Sequence, residues 1–200
     1  MSFSTYAGLQ SSIADWLNRT DLEEQIRDFI HLAENRISLV VRVPAIETTI
    51  IMTVNSDGYA TIPSDFLEVK DVFYDYDPLT RVSLSEIHRR ADRSGDPEMF
   101  ARETYRLRLY PTPASYGDSE LRMIYYYDVG RLTSTNTSHV MLELAPELYL
   151  YAALVEAADF LGTGQRDAYE AKYQMAYGRL MKHSRDAEFA GSTAVIQSGY

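Results

Sequence analysis

The spacing of apolar residues changes twice along this 200-residue chain, and that change limits the folds open to it. Near both ends, apolar side chains recur every three to four residues, which is the period of an amphipathic helix. Between about residues 45 and 130 they alternate instead, which is the period of a strand. We therefore predict an α+β fold, an antiparallel helical bundle built from the N- and C-terminal helices with an inserted antiparallel β-rich region.

The N-terminal part predicts two helices, the first over residues 5–17. Thr20, with Glu23 three residues later, fits a capping box at the start of the second. Pro44 is expected to end that helix, and the short loop between the two favours antiparallel neighbours. The apolar stripe of the second helix consists of Leu22, Ile26, Phe29, Ile30, Ala33, Ile37, Val40 and Val41.

The central region predicts a β-hairpin followed by further strands. Residues 46–54 alternate in hydropathy, residues 55–58 read Asn-Ser-Asp-Gly, and residues 59–62 return as a strand. The other predicted elements are strands at 67–76, 105–110 and 121–129 and a short helix from Ser83 to about residue 91.

Helical periodicity returns near the C-terminus. Residues 146–161 are apolar nearly all round, which predicts a helix buried on most sides. The last predicted helix, residues 165–188, carries a stripe of Tyr169, Tyr173 and Tyr177 that suits either core packing or a subunit interface. The predicted domains are a helical bundle of residues 1–44 and 138–189, a β-rich insertion of residues 45–137, and a flexible C-terminal tail of residues 190–200.

Catalytic and metal-binding patterns do not emerge from the sequence. The chain has no cysteine, its four histidines lack metal-ligand spacing, and neither a serine elbow nor a glycine-rich phosphate loop occurs. We predict no enzyme activity, catalytic residue, cofactor or metal. The strongest enzymatic alternative is a metal-dependent hydrolase using Asp75 and Asp77, which are two residues apart on a predicted strand.

Charge and composition point towards protein partners. The formal net charge of −10 removes the attraction that supplies most non-specific DNA binding. We expect no signal peptide, because residues 1–10 lack a basic start and an apolar stretch, and no membrane span, because no apolar run is long enough. Tyrosine and arginine are abundant and lysine is scarce, as in protein interfaces. Arginines between residues 88 and 108 are candidates for interface ion pairs, or alternatively are simply solvated. They are Arg89, Arg90, Arg93, Arg102, Arg106 and Arg108.

Four stretches of the chain resemble, in the same order over residues 4–190, the head-to-tail adaptor (connector or neck) proteins of tailed phages, especially short-tailed ones. They are TYAGLQSSIADWLNRTDLEEQIRDFIHLAENRISLVVRVPAIETT, DGYATIPSDFLEVKDV, LRLYPTP and HVMLELAPELYLYAALVEAADFL. These are packing and turn motifs rather than catalytic ones. The resemblance implies a helical bundle bearing a β-rich insertion.

The resemblance also implies a place in the virion neck, reached from the host cytoplasm during assembly. Copies of the chain, usually twelve, would form a homo-oligomeric ring under the portal protein, extend the DNA channel and present a surface to the tail or nozzle protein. Double-stranded DNA would pass through the lumen without specific binding during genome ejection. We hypothesise that part of the negative charge faces the lumen and repels the DNA backbone. Another neck or tail-completion ring, or an assembly chaperone, would share this fold class.

Ring closure requires two different patches on each subunit, one meeting the other on the next copy. The candidate patches are the arginine-rich region, the helical face around Glu23 and Glu24, and the tyrosine stripe of the last helix. The tail of residues 190–200 is a candidate docking arm for the portal, or alternatively a frayed terminus. Its sizeable apolar residues are Val195, Ile196 and Tyr200.

Overall fold

The computed structural model describes residues 4–114 and 120–189. Within these residues the chain forms six α-helices and two β-sheets, which confirms the predicted α+β class. The chain divides into two compact units, a helical unit of residues 1–45 and 129–200 and a β unit of residues 46–128.

The helical unit contains the described helices from both ends of the chain, and the β unit contains one short helix. The helices are α1 (Tyr6–Leu17), α2 (Glu23–Val40), α3 (Leu84–His88), α4 (Val140–Leu144), α5 (Pro146–Leu161) and α6 (Arg166–Phe189). Only α3 belongs to the β unit. None of the helices in the described part of the chain is both long and apolar enough to cross a membrane.

Helix α5 lies at the centre of the helical unit and packs against α1, α2 and α6. It spans the predicted residues, begins with Pro146 in its first turn and ends at Gly162, whose φ of 62° suits glycine. Its buried residues lie on every side of the helix, as an all-round apolar sequence requires. The neighbouring helices cover it with Leu9 and Ile13 of α1 and the buried stripe of α2.

The start of α2 differs from the predicted capping box. The helix begins at Glu23, its N-cap is Leu22, and no side chain caps it, so the prediction that Thr20 is the cap was wrong. Leu22 is buried, while Arg19 and Asp21 pair with each other at 2.6 Å in the exposed loop. The hydrogen bond from Arg19 lowers the pKa of Asp21. Burial of the stripe therefore decides where this helix starts. At its other end, Val40 is half exposed rather than part of the core.

The segment of residues 129–137 groups with the helices, although we predicted it as part of the insertion of residues 45–137. The buried Glu34 side chain of α2 accepts a hydrogen bond from the backbone N–H of Leu132 at 2.7 Å. The N–H of Tyr6, at the start of α1, donates to the carbonyl of Thr137 at 2.7 Å. These two bonds tie the segment to α1 and α2, which places the end of the β unit at residue 128.

The β unit is built from two four-stranded sheets around one core. Its strands are β1 (Glu47–Met52), β2 (Tyr59–Thr61), β3 (Phe66–Tyr74), β4 (Asp77–Pro78), β5 (Thr80–Arg81), β6 (Met99–Glu103), β7 (Arg106–Tyr110) and β8 (Leu121–Tyr127). Sheet A has the order β1-β8-β3-β4 and sheet B the order β2-β7-β6-β5. All pairs are antiparallel except β5 with β6. Both sheets contribute to the core, for example Met123 from β8 and Leu109 from β7.

The predicted hairpin of residues 46–54 and 59–62 is wrong, although its turn forms. The Asn55 side chain accepts from the N–H groups of Asp57 and Tyr59, and Gly58 has a φ of 77°. The strands on either side then separate, because β1 pairs with β8 in sheet A while β2 pairs with β7 in sheet B. Only a single bridge between Val54 and Ala60 remains of the hairpin ladder. The turn is a local structure, but strand pairing depends on burial in the shared core.

We predict that Glu34→Ala lowers the free energy of unfolding by about 2 kcal/mol, because it leaves the buried N–H of Leu132 without this acceptor. Asp28→Ala, an exposed carboxylate of the same helix beyond its first turn, is the matched control and should change stability by less than about 0.5 kcal/mol. Chemical denaturation of both variants measures the difference. Equal losses in the two variants would contradict a tethering role for Glu34.

Candidate assembly surfaces

The outer face of sheet B is a layer of arginine and tyrosine. Leu107 and Leu109 of β7 point into the core, so Arg106 and Arg108 lie on the opposite face. Their guanidinium carbons lie 3.9 and 4.7 Å from the ring centre of Tyr59 on β2, which is close enough for cation–π attraction. The registers of the sheet set this arrangement, because Arg108 pairs with Tyr59 across the strands.

The six predicted arginines divide into two groups. Arg90 pairs with Glu86 at 2.9 Å and Arg106 with Glu103 at 3.0 Å, so these two are neutralised within the subunit. The hydrogen bond from Arg106 lowers the pKa of Glu103. The other four have no ion-pair partner within residues 4–114 and 120–189, and they are Arg89, Arg93, Arg102 and Arg108. Their charge is available to a partner.

The predicted helical patch is only partly at the surface. Glu23 and Glu24 are exposed in the first turn of α2, where negative charge complements the helix dipole. In α6, by contrast, Tyr169 and Tyr173 are buried within the subunit and Tyr177 is half buried, its ring stacked 6.5 Å from that of Tyr173. Of the two roles left open for this stripe, core packing fits the burial of Tyr169 and Tyr173.

The side chain that covers Tyr173 is Arg36 of α2. Its guanidinium lies 3.9 Å from the ring centre of Tyr173 and donates two hydrogen bonds to Glu170 of α6, one of them at 2.8 Å. These bonds lower the pKa of Glu170, and burial raises the pKa of Tyr173. This bidentate pair fixes α2 against α6 and leaves little of Arg36 for a partner.

Two exposed tyrosines in the β unit escaped the sequence analysis. Tyr76 lies in the two-residue loop between β3 and β4 and is 82% exposed; Tyr105 lies in the equivalent loop between β6 and β7 and is 78% exposed. Tyr76 has a φ of 77°, in the left-handed region that favours glycine. A sequence signal could have located these tyrosines. It is a pair of non-glycine residues between two segments of alternating hydropathy, where a two-residue turn is expected.

The Tyr76 loop borders a pocket on the outer face of sheet A. The pocket has a volume of about 240 Å³. The guanidinium carbon of Arg122 lies 5.7 Å from the Tyr76 ring centre, and Arg122 also pairs with Glu120. The lining residues are Phe73, Asp75, Tyr76, Glu120, Arg122 and Ile124.

The carboxylate of Asp75 holds this loop in place. Its carboxylate accepts the backbone N–H of Glu120 at 2.7 Å, and its φ is 47°. The predicted strand over residues 67–76 ends at Tyr74, so Asp75 and Asp77 do not share a strand, and that part of the hydrolase alternative was wrong. In the described part of the chain, no three histidine or carboxylate side chains come close enough to hold a metal ion.

The candidate docking residues Val195, Ile196 and Tyr200 lie outside the described residues.

A fold of two compact units with arginine and tyrosine at the surface of one suits a protein that acts through protein contacts. The family model described as the SU10 adaptor protein matches residues 4–196, nearly the whole chain. The chain therefore belongs to the SU10 adaptor family of structural phage proteins, in agreement with the resemblance to head-to-tail adaptors. A comparison with curated proteins finds no match.

We predict that Tyr76→Gly raises the free energy of unfolding by about 1 kcal/mol, because glycine adopts a positive φ without the steric cost that a side chain incurs. Tyr105→Gly, at the other exposed tyrosine, is the control: Tyr105 is not among the residues with positive φ, so this change should not stabilise the chain. Thermal and urea unfolding would measure both. A loss of stability in Tyr76→Gly would contradict strain at this turn.

Proposed function

We propose that the chain is the head-to-tail adaptor of a tailed phage. Copies of it, twelve in the usual arrangement, form a ring under the portal protein, extend the DNA channel and present the attachment surface for the tail or nozzle protein. The observation that carries this proposal is the family match over residues 4–196. The protein acts in the virion neck and does no covalent chemistry.

In this proposal α1, α2, α5 and α6 form the antiparallel helical bundle of the ring subunit. The contacts of α5 with the other three helices support it, as does the short loop between α1 and α2. Two patches per subunit make the ring contacts. The arginine-rich region of residues 88–108 is one candidate, supported by the four arginines that form no ion pair among the described residues, and the exposed first turn of α2 with Glu23 and Glu24 is another.

The net charge of −10 supports a lumen wall that DNA does not adhere to. Positive walls would bind phosphates and release counterions, and so slow a genome passing through the channel. Part of the carboxylate excess therefore faces the lumen. A ring structure with a basic lumen would overturn this part of the proposal without affecting the adaptor role.

Deleting the gene tests the function directly. We predict that the mutant phage assembles DNA-packaging heads that carry no tails and lose their genome, because no ring extends the portal. A plasmid copy of the wild-type gene should restore infectivity. Electron microscopy of the particles and mass spectrometry of wild-type virions are the measurements. An assembly chaperone would be absent from mature virions, and intact tails on the mutant particles would refute the adaptor role.

Removing residues 190–200 tests the proposed portal-docking arm. We predict that the shortened protein binds the portal at least about tenfold more weakly, ~1.4 kcal/mol, since the apolar side chains that would order on binding are lost. Its unfolding midpoint should stay that of the full chain. Changing only Val195, Ile196 and Tyr200 to serine is the matched variant of equal length and should weaken binding similarly. Unchanged binding of both variants to purified portal would refute the arm.

A further inference from the structure

We propose that adjacent copies in the ring contact each other through the β unit, with the Tyr105 turn of one copy seated in the Tyr76 pocket of the next. This inference rests on the proposed ring and names the surfaces that would close it. Both surfaces lie on the same compact unit, but they are different patches. They therefore provide the head-to-tail contact that a closed ring requires.

The first observation is that Tyr76 is exposed in an unfavourable backbone conformation. A tyrosine with a φ of 77° is in a conformation that side chains disfavour, and no residue in the described part of the chain buries the ring, which is 82% exposed. The loop is nevertheless held in place, because Asp75 and Glu120 exchange two hydrogen bonds: the N–H of Glu120 donates to the Asp75 carboxylate at 2.7 Å, and the N–H of Asp75 donates to the Glu120 carbonyl at 3.1 Å. A rigid, exposed aromatic ring is a typical anchor of a protein interface.

The second observation is the apolar character of the surrounding face. Phe73 and Ile124 line the pocket beside Tyr76. Ile51 of β1 lies across the sheet from Arg122 and is 63% exposed. This outer face of sheet A therefore combines a pocket of about 240 Å³ with exposed apolar side chains, which is the form that receives a protruding side chain.

The third observation is the charge around each surface. Asp75 and Glu120 line the pocket together with the guanidinium of Arg122, and Asp71 lies across the strands from the lining residue Ile124. The Tyr105 turn is flanked by Arg102, Arg106 and Arg108, against the carboxylates of Glu103 and Asp57, both of which act on Arg106. An acidic pocket and a basic protrusion attract each other, and two copies of the same surface would repel.

These three observations select a second copy of this chain as the occupant. Tyr105 is 78% exposed at the tip of the β6–β7 turn, and its backbone carbonyl is fixed by the N–H of Ile62 at 2.9 Å. This bond helps to hold the Tyr105 turn in place. Arg102 and Arg108, which form no ion pair within residues 4–114 and 120–189, meet carboxylates in this arrangement.

Site-directed cross-linking tests the contact, and the absence of native cysteine makes the test clean. Asp77→Cys and Thr104→Cys place one thiol beside each tyrosine, at exposed positions, while keeping both rings. Virions carrying the double variant are treated with a short bis-maleimide and the adaptor is separated on a denaturing gel. We expect a ladder of covalent multimers. Each single variant, and Asp77→Cys combined with the exposed helical position Met175→Cys, should give monomer.

A second variant keeps the test decisive if the double-cysteine chain fails to enter particles. Tyr76→Gly should raise the unfolding midpoint of the isolated chain by about 3 °C and still reduce its incorporation into virions at least about tenfold. Tyr76→Phe keeps the ring and should incorporate like the wild type. Incorporation of Tyr76→Gly at the wild-type level, or monomer alone from the double-cysteine virions, would overturn the contact.

The outcomes also separate this inference from the proposed function. Virions that contain the wild-type adaptor but yield no ladder from the double variant would disprove the Tyr105–Tyr76 contact and leave the adaptor role intact. Virions that lack the wild-type chain would disprove the adaptor role itself. Cross-linking of either single variant would indicate a symmetric contact and would also overturn the arrangement.

Discussion

The enclosure of α5 is the constraint on which the helical unit depends. Its apolar side chains point in every direction, so no single neighbour can bury them. Helices α1 and α2 come from one end of the chain and α6 from the other, and all three pack against it. The two ends of the chain must therefore meet, and the residues between them are set apart as a second compact unit.

The β unit is built under a different constraint, because its two sheets must share one core. Strands adjacent in sequence, such as β1 and β2, enter different sheets, and each pairs with a strand far along the chain. The outer faces then differ in chemistry. Sheet B presents stacked arginine and tyrosine around Tyr59, whereas sheet A presents apolar side chains with a carboxylate border around Tyr76.

Two turns of the β unit combine an unfavourable backbone conformation with an exposed tyrosine. Tyr76 and Thr104, each in a two-residue turn that displays a tyrosine, have positive φ where glycine would be less strained. The surrounding bonds, such as that between Asp75 and Glu120, maintain the conformation. A strained turn that is held in place by hydrogen bonds is expected where the exposed side chain has a function, since a glycine would form the turn with less strain.

The sequence by itself determined the α+β class and the positions of those helices and turns that depend on residues close together in the chain. The all-round apolar run predicted α5 to the residue, and Ser83 caps α3 as its spacing with Glu86 predicts. The six arginines were found, but their division into paired and unpaired groups was not, since it depends on which carboxylates the fold brings near. Tyr76 and Tyr105 were missed because only strand pairing reveals that they sit in two-residue turns.

Only the tertiary structure decided the features that depend on distant partners. Thr20 satisfies the local capping pattern, yet burial of Leu22 starts α2 elsewhere. The turn at residues 55–58 forms as predicted, yet its flanking strands belong to two sheets, because pairing follows the core and not the turn. Backbone preferences act over three or four residues, whereas burial acts between residues brought together by the whole chain. The first can therefore be read from the sequence, and the second requires the fold.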